Sequence, residues 1–145
     1  MVGASLAGLR AAEALRREGF GGELTILGAE PHRPYDRPPL SKELLTGQVD
    51  APDVALPVGE DLAAEWILGD PAVRLTLDPR AVLTRSGRSV RFDGLVIATG
   101  SVPRRLPGLT PERPGVLELR TLDDAIALRA ALTASGAIST PSVRM

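Results

Sequence analysis

The stretch "VGASLAGLRAAEALRRE", residues 2–18, constrains the fold of this chain more than any other part of it. Gly3, Ser5 and Gly8 occupy the three glycine positions of a G-x-G-x-x-G turn, with serine in the middle one. The first glycine lets the backbone turn sharply out of a strand. The second position must be small because backbone approaches a pyrophosphate there. The third lets the following helix pack closely on its strand. Serine adds only a hydroxyl and fits the middle position better than a branched residue would. The helix then offers free N–H groups and about half a positive charge to an anion.

The residues that follow supply the rest of such a unit. Leu6, Leu9, Ala12 and Leu15 are spaced for one apolar face of a helix over 6–18, and "GFGG" ends it with glycines suited to a C-cap. "ELTILG" reads as a short apolar strand. Glu30 then comes about 20 residues after the last glycine, where a carboxylate reaches a nucleotide ribose. An acid at that point favours FAD or NAD over NADP. Taken alone, the loop also fits a glycine-rich helix cap, and Glu30 fits a solvated loop carboxylate. Their order along the chain favours dinucleotide binding. Only Met1 and Val2 precede Gly3, whereas a strand commonly has about five or six residues.

Further along, residues 31–39, "PHRPYDRPP", contain four prolines and are expected to be irregular. "LSKELLTG" reads as a short helix with Ser41 as N-cap, and the residues after it as loop. Residues 60–68, with Trp66, read as a helix ending at Gly69. "AVRLTL" and "AVLTRSGRSVRF" read as strands, the latter pair turning at Ser86-Gly87. "GLVIATG" reads as a buried strand running into a loop, and "VLELR" as a strand. Residues 122–134 read as a helix with Leu122, Ile126 and Leu132 near one face, and with Thr121, Asp123 and Asp124 at its positive end. The order β-α-β, then mixed strands, then β and α argues an α/β layered domain.

Composition removes several alternatives. With 145 residues the chain fits one domain. Cysteine is absent, which excludes disulfides and thiolate metal sites, and His32 is the single histidine. The net charge of −1 gives no nucleic-acid or membrane signal. No apolar run approaches the ~20 residues of a membrane span, and no signal peptide is legible, so a cytoplasmic location is expected.

One local conflict draws the eye in "YDRPPLSKELL". Arg37 and the sole lysine, Lys42, flank a rigid di-proline. Stiffness helps where a cation is held against an anionic ligand, because little entropy remains to lose. Arg37 can fork onto a phosphate or carboxylate. Lys42 falls in the first turns of a helix, where cations are mildly disfavoured, and such conflicts often mark sites. A solvated turn with an ordinary surface lysine fits the spacing as well.

Together "VGASLAGLRAAEALR", "GAEPHRPYDRPPLSKELL", "FDGLVIATGSVPRRLPG" and "LELRTLDDAIALRAAL" resemble the FAD-binding portion of NAD(P)H-dependent ferredoxin reductases, the putidaredoxin and rhodocoxin reductase type of flavoprotein. The likeness covers about residues 2–133. It implies a Rossmann-like FAD/NAD(P)-binding domain, a parallel sheet with helices plus a small antiparallel meander. It implies that Gly3, Ser5, Ala7 and Gly8 hold the FAD pyrophosphate and that Glu30, with the Ala29 backbone, meets the adenosine ribose. Arg37 and Lys42 would lie along the FAD, Lys42 near the flavin. Val73 would touch adenine through its backbone. Ala98, Thr99 and Gly100 match the family's A-T-G strand end, which closes over the dinucleotide, and Arg120 matches an arginine at the cofactor. Arg104 and Arg105 read as surface residues. Family members pass electrons from NAD(P)H through FAD to a [2Fe–2S] ferredoxin, and the isoalloxazine does the chemistry, so no catalytic side chain is expected.

The resemblance also implies a boundary. The partial FAD domain is expected over 1–134, with a disordered, non-family tail over 135–145. The family's next strand, its second glycine-rich fingerprint and its C-terminal interface domain have no counterpart in these residues. The fold is therefore expected to be incomplete at both ends, marginally stable and a weak binder of FAD. Two other readings stand beside the reductase: a cofactor-free remnant without catalysis, and a small Rossmann domain binding NAD alone. "RPPLSK" together with "ATG" disfavours the last.

Overall fold

A computed structural model describes residues 1–104, 107–108 and 113–136. The described residues fall into two compact units, one built from 1–35 with 56–100, the other from 36–55 with residues beyond 100.

The first unit begins with the glycine turn and helix α1, Leu6–Arg17. Leu9 and Ala12 are fully buried, as the apolar spacing requires, whereas Leu6 is exposed. The helix ends where the Glu18 and Gly19 amides close on Ala14 and Arg16 carbonyls. Arg16 reaches past the end and donates to the Gly22 and Leu62 carbonyls at 2.8 and 2.9 Å. Strand β1, Thr25–Leu27, follows.

Beside β1 runs β2, Glu65–Ile67, in parallel with register Thr25 to Glu65 and Leu27 to Ile67. This replaces the helix expected over 60–68. A 3-10 turn takes Glu60–Leu62, Ala63 turns the chain with a positive φ of 43°, and Trp66 and Ile67 enter the sheet. Ile67 gains burial against Leu27 there, a non-local reward that local helix propensity does not offer.

On the other side of β1, Val2 alone bridges in parallel to both Leu27 and Ile97. Its amide donates to Val96 O at 2.9 Å, and its carbonyl accepts from Ala98 N at 2.7 Å. The stub before the glycine turn is thus seated between two neighbours. The segment expected as a buried strand through "LVIA" is reduced to that bridge, and Ile97 is 65% exposed. One paired residue secures the backbone there without covering the Ile97 side chain.

The sheet's two faces have separate cores. Ile26 joins Leu9, Ala12, Leu24 and Leu62 under α1. Leu27 and Ile67 instead meet Val82 of an antiparallel meander. Alternation along β1 sends successive side chains to opposite faces, and each fully buried leucine or isoleucine contributes about 1.5–3 kcal/mol. The meander comprises β3, Ala72–Leu77, β4, Arg80–Thr84, and β5, Ser89–Arg91, in that order across the sheet. The expected turn at Ser86-Gly87 joins β4 to β5. Ser86 donates through its amide and hydroxyl to Asp70, at 2.9 and 2.6 Å. Those hydrogen bonds, the hydroxyl's first, hold the exposed Asp70 carboxyl below its ordinary value.

The second unit contains α2, Glu43–Thr46, and α3, Leu122–Ala134. The di-proline is more regular than expected: Pro38–Ser41 forms a 3-10 helix. Proline suits a first helical turn, where its missing N–H would have had no partner. Ser41 therefore ends that turn, and Lys42 takes the N-cap position of α2 expected for Ser41. A second short turn, Ala51–Val54, replaces expected loop; Asp50 and Asp53 cap it reciprocally. Residues 116–120 form no strand. Helix α3 has its expected bounds, but its buried residues are Leu122 and Ala125, and Ile126 is exposed. Arg129 on α3 pairs with Asp50 at 2.9 Å. Arg105 and most of the expected tail lie outside the described residues.

Candidate functional site

Three segments far apart in sequence leave the parallel sheet at the same end. Val2 runs into Gly3, β1 runs into Gly28–Glu30, and Ile97 runs into Ala98–Gly100. Since Val2, β1 and Ile97 run parallel, all three connections lie at the carboxyl edge, where open α/β sheets bind ligands.

The glycine turn is fixed by packing as well as by conformation. Gly3 has φ +114°, and a Cβ there would sit 2.1 Å from the Ala98 carbonyl oxygen. Its amide donates to Leu27 O at 2.8 Å. A Cβ on Gly8 would lie 1.9 Å from Gly3 O, so the first turn of α1 rests directly on the loop. The "GASLAG" and "ATG" motifs are therefore in backbone contact. Ser5 is the N-cap of α1 with extended backbone; its side chain makes no capping bond, and no acid stands in the first turn. The first-turn N–H groups have no intrahelical partner, and the arginines Arg16 and Arg17 sit at the opposite end of the helix. Ala7 is exposed in that first turn.

Glu30 follows β1 with its backbone and side chain both held. Gly69 N donates to its carbonyl at 2.9 Å. The buried Tyr35 hydroxyl donates to its carboxylate. Ala29, beside it, is exposed. Val73, on β3, lines an open cavity of about 230 Å³ together with Val2, Ile97 and Thr99. So the loop residues, Ala29, Glu30 and Ala98–Gly100 gather at one sheet edge, and Val73 borders the Thr99 side of it.

Arg37, Lys42 and Arg120 belong to the second unit. The Arg37 guanidinium donates to the Arg120 carbonyl just before α3. Thr121 and Asp124 cap that helix: Asp124 N donates to Thr121 Oγ1 at 3.2 Å, and the Asp124 carboxylate accepts the Arg120 and Thr121 amides at 3.0 and 2.8 Å. Burial alone would raise the Asp124 carboxyl; the bonds from Thr121 and Arg120 and the Arg37 charge outweigh it and hold the group below its ordinary value. The structure thus brings Arg37 and Arg120 together, with Arg37 engaged on backbone. Lys42 stands exposed before α2. Sequence reasoning missed Tyr35. Its only signal was an aromatic residue with a polar tip inside a proline-rich stretch.

The donor set suits a dinucleotide. Unspent helix amides without a nearby acid suit a pyrophosphate, and a held carboxylate at the end of β1 suits a ribose diol. Among the described residues no group of His, Asp and Glu could hold a metal ion. No helix of the described residues is long and apolar enough to cross a membrane.

Comparison with known proteins shows the family and the fold. The family model described as "Pyridine nucleotide-disulphide oxidoreductase" matches residues 1–139. The ferredoxin–NAD(+) reductase component of the p-cumate 2,3-dioxygenase system of Pseudomonas putida is 41% identical, over 96% of this chain and 35% of its own length. The ferredoxin reductase for the CYP199A2 system from Rhodopseudomonas palustris superposes with a TM-score of 0.83 at 34% identity, over 92% of this chain and 33% of that one. Putidaredoxin reductase, in its covalent complex with putidaredoxin, gives a TM-score of 0.80 at 32% identity, over 90% and 33%. The chain spans about a third of the length of the relatives it matches. It belongs to the pyridine nucleotide-disulphide oxidoreductase family, with ferredoxin reductases among its relatives.

Proposed function

We propose that this chain is the FAD-binding part of a flavoprotein that carries electrons from NAD(P)H to a [2Fe–2S] ferredoxin. The observation that carries the reading is the convergence of the glycine turn, Glu30 and Ala98–Gly100 at the carboxyl edge of one parallel sheet. The Gly3–Gly8 loop and the first turn of α1 bind the pyrophosphate through backbone amides. Ser5 and Ala7 keep that approach open. Glu30 accepts hydrogen bonds from the adenosine ribose, with Ala29 presenting backbone beside it. Thr99 and Gly100 close the edge from the third segment, and Val73 flanks it.

The family likeness extends the proposal to Arg37, Lys42 and Arg120 as cationic partners of the cofactor. When bound, the flavin supplies the exchange between two-electron and one-electron transfer, and the chain's residues bind and orient it. NAD(P)H is used by the full-length family protein.

Titration with FAD tests the reading. Stoichiometric binding with quenched flavin fluorescence, weakened by Glu30→Gln, is the expected result. Unchanged flavin emission at saturating protein overturns it. A specific observation favours a second reading, a chain that binds cofactor poorly and turns nothing over. Val73 and Leu75 on the meander are 55% and 45% exposed, bordering the same opening as the 65% exposed Ile97. Apolar surface left in water contributes nothing to stability. Reduction of a dye acceptor by NADH in the presence of bound FAD would exclude that second reading.

A further inference from the structure

Glu30 sits at the end of a strand with its backbone fixed, and a carboxylate on a two-methylene stem still has three side-chain torsions to lose when it meets a ligand. The structure limits that freedom before any ligand arrives. Tyr35 lies five residues on, 6% exposed. Its neighbour Pro34 is also buried, and the Pro34 carbonyl accepts Leu56 N at 2.9 Å. The His32 ring meets the Tyr35 ring edge-on, 6.3 Å between centroids at 82°. The ring is thus buried, set on a backbone fixed at Pro34 and met at its edge by His32, and its hydroxyl donates to Glu30 Oε2.

We infer that Tyr35 is a positioning residue, holding the Glu30 carboxylate so that it meets the two hydroxyls of an adenosine ribose in a ready orientation. This rests on the reading of Glu30 as the ribose-binding acid. An ionised carboxylate has capacity for about four hydrogen bonds, so the bond from Tyr35 is compatible with two from a diol. A side chain ordered in advance loses less freedom on binding. Tyr35 itself touches no ligand in this scheme and acts through Glu30.

The experiment uses ADP and 2′,3′-dideoxy-ADP, whose affinities for the whole chain are read from chemical-shift titrations. In the wild-type chain ADP binds more tightly than its dideoxy analogue. Tyr35→Phe, which keeps the ring and loses the hydroxyl, lowers ADP affinity about fivefold and leaves the dideoxy analogue unchanged. In a Glu30→Gln background the same substitution has no further effect on either ligand.

Equal loss for both ligands overturns the positioning role and makes Tyr35 a packing residue. Loss of diol discrimination in Glu30→Gln with none in Tyr35→Phe overturns it too, while the ribose reading of Glu30 stands. If Glu30→Gln leaves ADP and its dideoxy analogue unaffected, or the wild-type chain does not distinguish them, the ribose reading itself falls and this inference with it.

Discussion

Helices α1 and α3 begin in opposite ways. At α3, Thr121 and Asp124 form a reciprocal cap, Asp123 adds a second acid, and the Asp124 carboxylate takes two backbone amides. At α1, Ser5 makes no side-chain cap, the first turn holds no acid, and the turn is built from glycine pressed on backbone. Both ends carry the same partial positive charge. One is spent on the chain's own side chains; the other has no side-chain cap and is the end proposed above to meet an anion. The difference separates a helix end closed by the chain's own side chains from one whose first-turn amides are left open.

The largest expected effect comes from filling the space beneath α1. Gly8→Val places a Cβ and two methyls where the Gly3 carbonyl already stands within 1.9 Å of the first of these atoms. The helix must lift off the loop, at a cost of about 3 kcal/mol or more. Urea unfolding checks this as a large drop in midpoint at unchanged slope. A matching substitution in α3, Ala127→Val at an exposed position, costs only the few tenths of a kcal/mol of lost helix propensity. Similar losses at both sites would erase the contrast between the two helices.

The second effect reverses sign between stability and binding. Ser5→Asp gives α1 the acid that α3 already has. A carboxylate in that place stabilises the helix by about 0.3–1 kcal/mol. It also puts a negative charge where the pyrophosphate is proposed to sit, and FAD affinity falls about tenfold or more, equivalent to at least ~1.4 kcal/mol. A thermal melt and a flavin titration on the same protein read the two signs. Tighter FAD binding in this variant would sink the pyrophosphate assignment.

Much of the fold is legible in the sequence. The spacing of Leu9 and Ala12 marked α1, the strand-like runs 72–77 and 81–92 with a turn at Ser86-Gly87 marked the strands of the meander, and Thr121 with its acids marked the start of α3. Each is a local pattern. The failures were non-local or stereochemical. Glu65–Ile67 becomes a strand because β1 lies beside it, and nothing within nine residues reports that. Pro38 and Pro39 looked like breakers, yet they open a 3-10 turn because a first turn needs no amide donor there. At the site, the three motifs were legible as motifs, and their meeting at one sheet edge followed from the fold. Tyr35 on Glu30, and Arg37 on the Arg120 carbonyl, were not legible. A side chain's partner across an irregular loop has no periodicity to betray it.

The smallest effect concerns pH and isolates the α3 side of the comparison. The Asp124 carboxyl is held below its ordinary value in the folded chain, burial being outweighed by bonds from Thr121 and Arg120 and by the Arg37 charge. A depressed folded value means the charged form binds the fold better than it binds water. Its contribution is complete above the unfolded value, near pH 4, and is lost as pH falls through the lower folded value. Asp124→Asn therefore destabilises the chain at neutral pH by about 1 kcal/mol, the usual worth of such a cap. In strongly acid solution, where wild-type Asp124 is itself protonated, the two proteins converge. Stability curves collected from pH 7 down to the acid transition read this directly. Helix α1 has no carboxylate at its start, so Ser5→Ala shows no such convergence, and its small effect stays flat across the same range. A pH-dependent gap in that variant would mean that the open end of α1 is capped by a carboxylate after all.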